Sequence, residues 1–217
     1  MEADFQKFLK IAHDFLWDDN SWHDYYHAER VFHLAMKIQE KEGWNPYVIG
    51  VSAIMHDLMR PWQTLTGKSH FWEEALAKIT SVLVAGEVKQ EYLSEILDVI
   101  ARHDIYDWSL PQEKSLELQI VQDADNIDAI GAIGIARTWK YSGAHGVPMW
   151  IPGENLDFSH EYKETGQNTS IIRHFYEKLL KLAQHMNTQT AREIAIERNK
   201  FMKVYLEYFF AEWEGKK

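Results

Sequence analysis

The apolar run Val48-Ile49-Gly50-Val51-Ser52-Ala53-Ile54-Met55 ends abruptly in His56-Asp57, and no other stretch narrows the possible folds as far. The run predicts a helix buried on most sides, and an unpaired carboxylate carried into that interior would cost several kcal/mol. Adjacent helical residues point roughly 100° apart, so His56 and Asp57 reach a common partner only off the end or flank of the helix. A divalent cation held by nitrogen and oxygen ligands is one compensation. The alternative is that Asp57 opens a loop and meets solvent or Arg60.

The rest of the chain follows the same period. Apolar positions recur at helical spacing, and sustained strand-type alternation is missing, so the fold class is all-α. Helices are expected at about 2–17 and about 22–42, then from the cap-and-start signal Asn45-Pro46 to about Leu58, stopping before Pro61. Further helices are expected from a Ser69 cap to about Ala85, over about 89–103, and from near Ser115 after a turn around Pro111. Gly131 and Gly134 weaken a helix by about 1 kcal/mol each relative to alanine, which predicts a break or a close backbone approach. Residues 142–167 are rich in glycine and proline and read as a long loop, either a lid or a strap over the core. Two helices close the chain at about 168–186 and 190–214, the second opened by the capping-box pattern Thr190-Ala191-Arg192-Glu193 and ended at Gly215. Its aromatic residues Tyr205, Tyr208, Phe209, Phe210 and Trp213 are expected to pack internally. The expectation is one domain over residues 1–217: a core over 1–141, the loop over 142–167, and C-terminal helices over 168–217 packed on the core.

Composition removes several classes of function. Cysteine is absent, so thiolate metal sites and disulfides are excluded and any metal must be held by His, Asp and Glu. A formal charge of −10 disfavours a nucleic-acid polymer as partner, but not a small phosphorylated substrate in a cleft whose field a metal inverts. No apolar stretch has the roughly 18–20 residues of a membrane span, and Met1-Glu2-Ala3-Asp4 begins no signal peptide, so a cytoplasmic location is expected.

Two further clusters carry chemistry. His23 and His27 are four apart and would share a helix face with Arg30 one turn on, although such a pair also suits a hydrogen-bonded core. In Gln122-Asp123-Ala124-Asp125-Asn126-Ile127-Asp128, three carboxylates interrupt an apolar helix. Asp125 and Asp128 share one side, and Asp123 faces nearly opposite. Their burial implies a cation from elsewhere, either a metal or Arg and Lys from another helix.

A histidine on one helix, a His-Asp doublet ending another, and a late Asp in an Ala-Asp context together resemble the HD superfamily of metal-dependent phosphohydrolases. The likeness extends through His23-Asp24 to Arg30-Val31, Gln122-Asp123-Ala124-Asp125, Asp128 to Arg137, and Phe175-Tyr176-Glu177-Lys178-Leu179. These stretches resemble a bacterial, mostly uncharacterised subfamily of HD hydrolases over nearly the whole chain. The resemblance implies an HD-domain helical bundle with an additional C-terminal helical pair. It implies His27, His56, Asp57 and Asp125 as ligands of a divalent ion, which could be Mn, Fe, Co, Ni, Zn or Mg. His103 and His70 are placed for a second metal or a supporting role, with His103 preferred. The chain departs from the family's pattern where Leu58-Met59-Arg60-Pro61-Trp62 replaces a more acidic stretch.

The activity so implied is hydrolysis of a small phosphate ester, a nucleotide or related metabolite. A bound divalent ion lowers the pKa of its water from about 16 toward about 7. Asp57 would orient that water, Asp128 would orient or transfer a proton, and Arg30, Arg137 and Lys140 would hold phosphate. Two alternatives stay open: a di-iron oxygenase of HD type, and a metal-stabilised module that binds a nucleotide or partner without catalysis. The assembly is expected to be a monomer or homodimer.

Overall fold

The computed structural model describes residues 2–18, 23–69, 73–104, 113–158 and 170–217, and among them every regular element is helical. The helices are α1 (Glu2–Leu16), α2 (Tyr25–Glu42), α3 (Pro46–Met55), α4 (Arg60–Thr66), α5 (Glu73–Ala85), α6 (Leu93–Arg102), α7 (Leu116–Asp128), α8 (Gly131–Ala144), α9 (Ile171–Glu177) and α10 (Gln189–Trp213). Short 3₁₀ turns precede α6 and follow α9. The all-α expectation therefore holds. His70, the turn at Pro111 and the end of the 142–167 loop lie outside the described residues.

The helices form two compact units. One holds α1 to α6 and α7 through Ala124; the other holds the end of α7 from Asp125 together with α8, α9 and α10.

In the first unit α3 is the central rod, buried from Tyr47 to Met55 and packed by α1, α2 and α6. Its start follows the sequence: Asn45 accepts from the Tyr47 and Val48 amides at 3.0 and 3.4 Å, with Pro46 in the first turn. Gly50 lets α1 approach, because a Cβ there would meet the Phe5 ring at 2.4 Å. Two local expectations are corrected. α3 does stop before Pro61, but at Met55 rather than near Leu58, and Pro61 sits in the first turn of a new helix, α4, where proline lacks no needed donor. And α2 starts at Tyr25, not near 22, because the Asp24 carboxylate caps it by accepting from the His27 amide at 2.9 Å.

In the second unit α10 packs along α8 and the 3₁₀ turn after α9. Gly131 breaks the chain with φ +78° beneath the Arg198 side chain, and Gly134 admits the Ala129 carbonyl, which a Cβ would meet at 2.2 Å. Thr188, not Thr190, caps α10: its hydroxyl accepts from the Ala191 amide at 3.3 Å, while Thr190 is buried inside the helix. The loop after α8 begins only past Ala144, and its carbonyls at Pro148 and Met149 accept from the Ile171 and Ile172 amides that open α9. Tyr205 accepts from the Trp139 indole at 2.9 Å and Phe210 meets Trp150 edge-on, so these aromatics pack internally, while Tyr208 and Trp213 stay about half exposed.

Candidate metal centre

Two helices of the first unit end in the same way. His56 caps the C-terminus of α3 and His103 caps that of α6, and each is followed by an aspartate. Each ring turns back on its own helix: His56 Nδ1 lies 2.8 Å from the Ala53 carbonyl and His103 Nδ1 2.8 Å from the Ile100 carbonyl. A carbonyl can only accept, so both Nδ1 atoms carry the proton and both Nε2 atoms present a lone pair. The helix ends thereby aim two preset imidazole donors inward.

Asp57 is where they converge. Its Oδ2 lies 3.3 Å from His56 Nε2 and 3.4 Å from His27 Nε2, and it also touches His23 Nδ1. Its Oδ1 accepts from Arg60 Nε at 2.7 Å and lies 3.6 Å from His103 Nε2. His27, His56 and His103 are fully buried, and Asp57 is 1% exposed. Burial pushes the Asp57 carboxyl up, but the Arg60 guanidinium, then His23 and His56, hold it well below the usual range. His23 is pushed down by burial, only partly offset by Asp57.

The donor set fits a divalent cation. His27 Nε2 and His56 Nε2 are 3.2 Å apart, so with Asp57 Oδ2 three ligand-type atoms form a nearly equilateral triangle. A metal bound at about 2.1 Å with angles between about 90° and 110° holds its donors roughly 3.0–3.4 Å apart. Within the first unit two groupings of potential ligands, His23 with His27 and Asp57, and His56 with Asp57 and His103, meet the spacing of an ion site. Imidazole and carboxylate without thiolate suit Mn, Fe, Co, Ni or Zn and tolerate Mg.

The remaining candidates are distributed as follows. Asp125 is buried on α7, directly after Ala124 in an unbroken helix. Asp128, three residues on and 1% exposed, accepts from Arg137 on α8 at 2.7 Å. The cation from another helix that the sequence left open is therefore present for this carboxylate. Asp123 attracts Lys114, whose ammonium is pushed down by burial and donates to Gln122 at 2.7 Å. Arg30 is half-buried on α2 and Lys140 exposed on α8.

Sequence reasoning passed over two participants. Arg60 is read from the sequence as an ordinary partner of Asp57 and as part of a departure from the family's pattern, and Asp104, which Arg60 also holds, is given no role there. The signal was available, since His103-Asp104 repeats the doublet His56-Asp57.

The profile of the HD domain matches residues 24–130. The protein YpgQ of Bacillus subtilis is 35% identical over 189 residues, covering 86% of this chain and 82% of YpgQ. An HD-superfamily hydrolase from Bacillus thuringiensis superposes with a TM-score of 0.74 at 33% identity, covering 98% of both chains. YpgQ crystallised in complex with ADP gives a TM-score of 0.70 at 28% identity, covering 96% of this chain and 97% of that one. The chain belongs to the HD superfamily of hydrolases. Among the described residues no helix is long and apolar enough to cross a membrane.

Proposed function

We propose that this chain is a metal-dependent phosphohydrolase acting on a small phosphate ester, a nucleotide or related metabolite. The observation that carries the proposal is the triangle of His27 Nε2, His56 Nε2 and Asp57 Oδ2, with sides of 3.2 to 3.4 Å. His27, His56, Asp57 and Asp125 are the proposed ligands. The ADP complex of YpgQ supports a nucleotide as the substrate class.

A divalent ion in this position would supply the Lewis acidity that lowers the pKa of a water toward about 7 and offsets charge on phosphoryl oxygens. The protein's part is to fix the donors beforehand. The Ala53 carbonyl sets the His56 tautomer, and Arg60 holds one oxygen of Asp57 so that the other faces the imidazoles. His23, in the turn before α2, donates from Nδ1 to the Asp57 carboxylate, which suits a group that holds a proton beside the reacting centre. Arg30, one turn past His27, and the exposed Lys140 are the proposed phosphate contacts. Arg137 donates to Asp128 at 2.7 Å, and the proposed role of that pair is to hold α8 to the end of α7.

The test is phosphate release from a panel of nucleotides with Mn, Mg, Co or Ni after chelation. Release should depend on the added metal. It should disappear in His56→Ala and Asp57→Ala while the helical circular dichroism persists. Release that survives both substitutions would move the chemistry elsewhere.

A further inference from the structure

Asp57 has two oxygens, and the structure treats them differently. Oδ2 faces the imidazoles of His23, His27 and His56, whereas Oδ1 faces the Arg60 guanidinium and, at 3.6 Å, His103 Nε2. The packed helices α3 and α6 each deliver a His-Asp doublet here, so imidazole and carboxylate donors also gather on the Oδ1 side: His103 from one doublet, and Asp57 and Asp104 as the two acids. That collection is of the kind that holds a divalent ion. What stands between the two carboxylates is instead Arg60, with Nε on Asp57 and a terminal nitrogen on Asp104.

We infer that Arg60 is a built-in cation that takes the place of a second divalent ion on the Oδ1 side of Asp57, leaving the chain with a single metal position. The inference rests on the metal-centre reading above and deepens it. Arginine is suited to this use because it keeps its charge under all conditions a protein meets and grips two carboxylates with separate nitrogens. The side chain is anchored at both ends of its reach: the Arg60 amide donates to the Asp57 carbonyl at 3.0 Å, and Nη1 donates to Gln63 Oε1 at 3.4 Å as α4 begins. With 17% of the side chain exposed, little solvent separates the guanidinium from its partners. A dication entering beside it would meet a fixed like charge and would find Oδ1 already accepting a hydrogen bond.

The experiment counts ions in the intact chain. Protein stripped by chelator, reloaded with excess Mn(II) and desalted is measured for Mn per chain by elemental analysis. Electron paramagnetic resonance then reports whether neighbouring ions are exchange-coupled, as two ions about 3.5–4 Å apart are. The expected result is one uncoupled Mn per chain in the wild type, and two coupled Mn per chain in Arg60→Ala and Arg60→Gln. Two Mn in the wild type would overturn the inference, and is the result a di-iron oxygenase needs. One Mn in both Arg60 variants, with helical circular dichroism retained, would also overturn it while leaving the metal centre standing. No Mn in any of the three proteins would remove the metal-centre reading itself, and the inference with it.

Discussion

Asp57 in the first unit and Asp128 in the second are both 1% exposed, and both accept from an arginine at 2.7 Å. They differ in what else surrounds them. Asp128 accepts from the Arg137 guanidinium on α8. Asp57 has its guanidinium and then four imidazoles besides, three of them on its second oxygen. The second unit also holds a half-buried histidine, His174, whose Nδ1 atom is buried and has no hydrogen-bond partner among the described residues. Burying a charge or an imidazole is therefore not what distinguishes a metal centre. The distinguishing feature is a surplus of lone pairs converging on a carboxylate that is already paired.

The largest effect that could break this comparison is on metal affinity. Asp57→Asn should weaken Mn(II) binding by about 100-fold or more, since even partners of ligands are worth 10–100-fold, on the order of what a ligand must exceed. Asp128→Asn should leave the affinity within a few-fold. Calorimetric titration of both variants decides it: equal losses would mean that the two carboxylates serve the ion alike.

The next effect concerns stability, and it should run the other way. Arg137→Ala leaves the Asp128 carboxylate buried without its guanidinium, which should cost about 3 kcal/mol in urea unfolding of the metal-free protein. Replacing both partners, as in Asp128→Leu with Arg137→Met, should recover most of that loss. Metal content should be unchanged in both. A loss of Mn in the double variant would show that the pair acts on the metal centre as well as on α7.

The contrast between the two carboxylates also explains how far the sequence could be read. The apolar run with Asn45-Pro46 before it and His56-Asp57 after it located α3 and its doublet, because burial, cap and terminus are all local signals. Gly131 and Gly134 likewise predict a break or a close approach, and the structure has the break at Gly131 and the approach at Gly134. What could not be read was any pairing set by tertiary packing. The helical period sets Asp123 apart from Asp125 and Asp128, but it does not tell that Arg137 reaches Asp128 while Lys114 lies within the field of Asp123. By spacing alone His23 belongs to the helical face of His27. In fact it precedes the helix, because the intervening Asp24 spends its carboxylate on the cap. Arg60 was legible as a neighbour of Asp57 but not as a bridge, since Asp104 is 44 residues further on.

The smallest effect tests the histidines. His174 lies on α9, and burial first, then the Lys178 cation, pushes its pKa down to about 3. In the unfolded chain the ring takes a proton near the ordinary value of about 6.5. Between these values the unfolded state binds one more proton than the folded state, so stability rises with pH. His174 thus contributes stability that is fully present above about pH 6.5 and is lost as pH falls toward about 3, with a slope of up to about 1.4 kcal/mol per pH unit. Urea unfolding in chelator at pH 4.5, 5.5, 6.5 and 7.5 should show a shallower slope for His174→Phe than for the wild type below pH 6.5, and parallel curves above it. The difference isolates this ring, because every carboxylate is common to both proteins. Identical slopes would mean that His174 finds a partner for its proton in solution, and the contrast between a solitary imidazole and the imidazoles gathered at Asp57 would lose its clearest example.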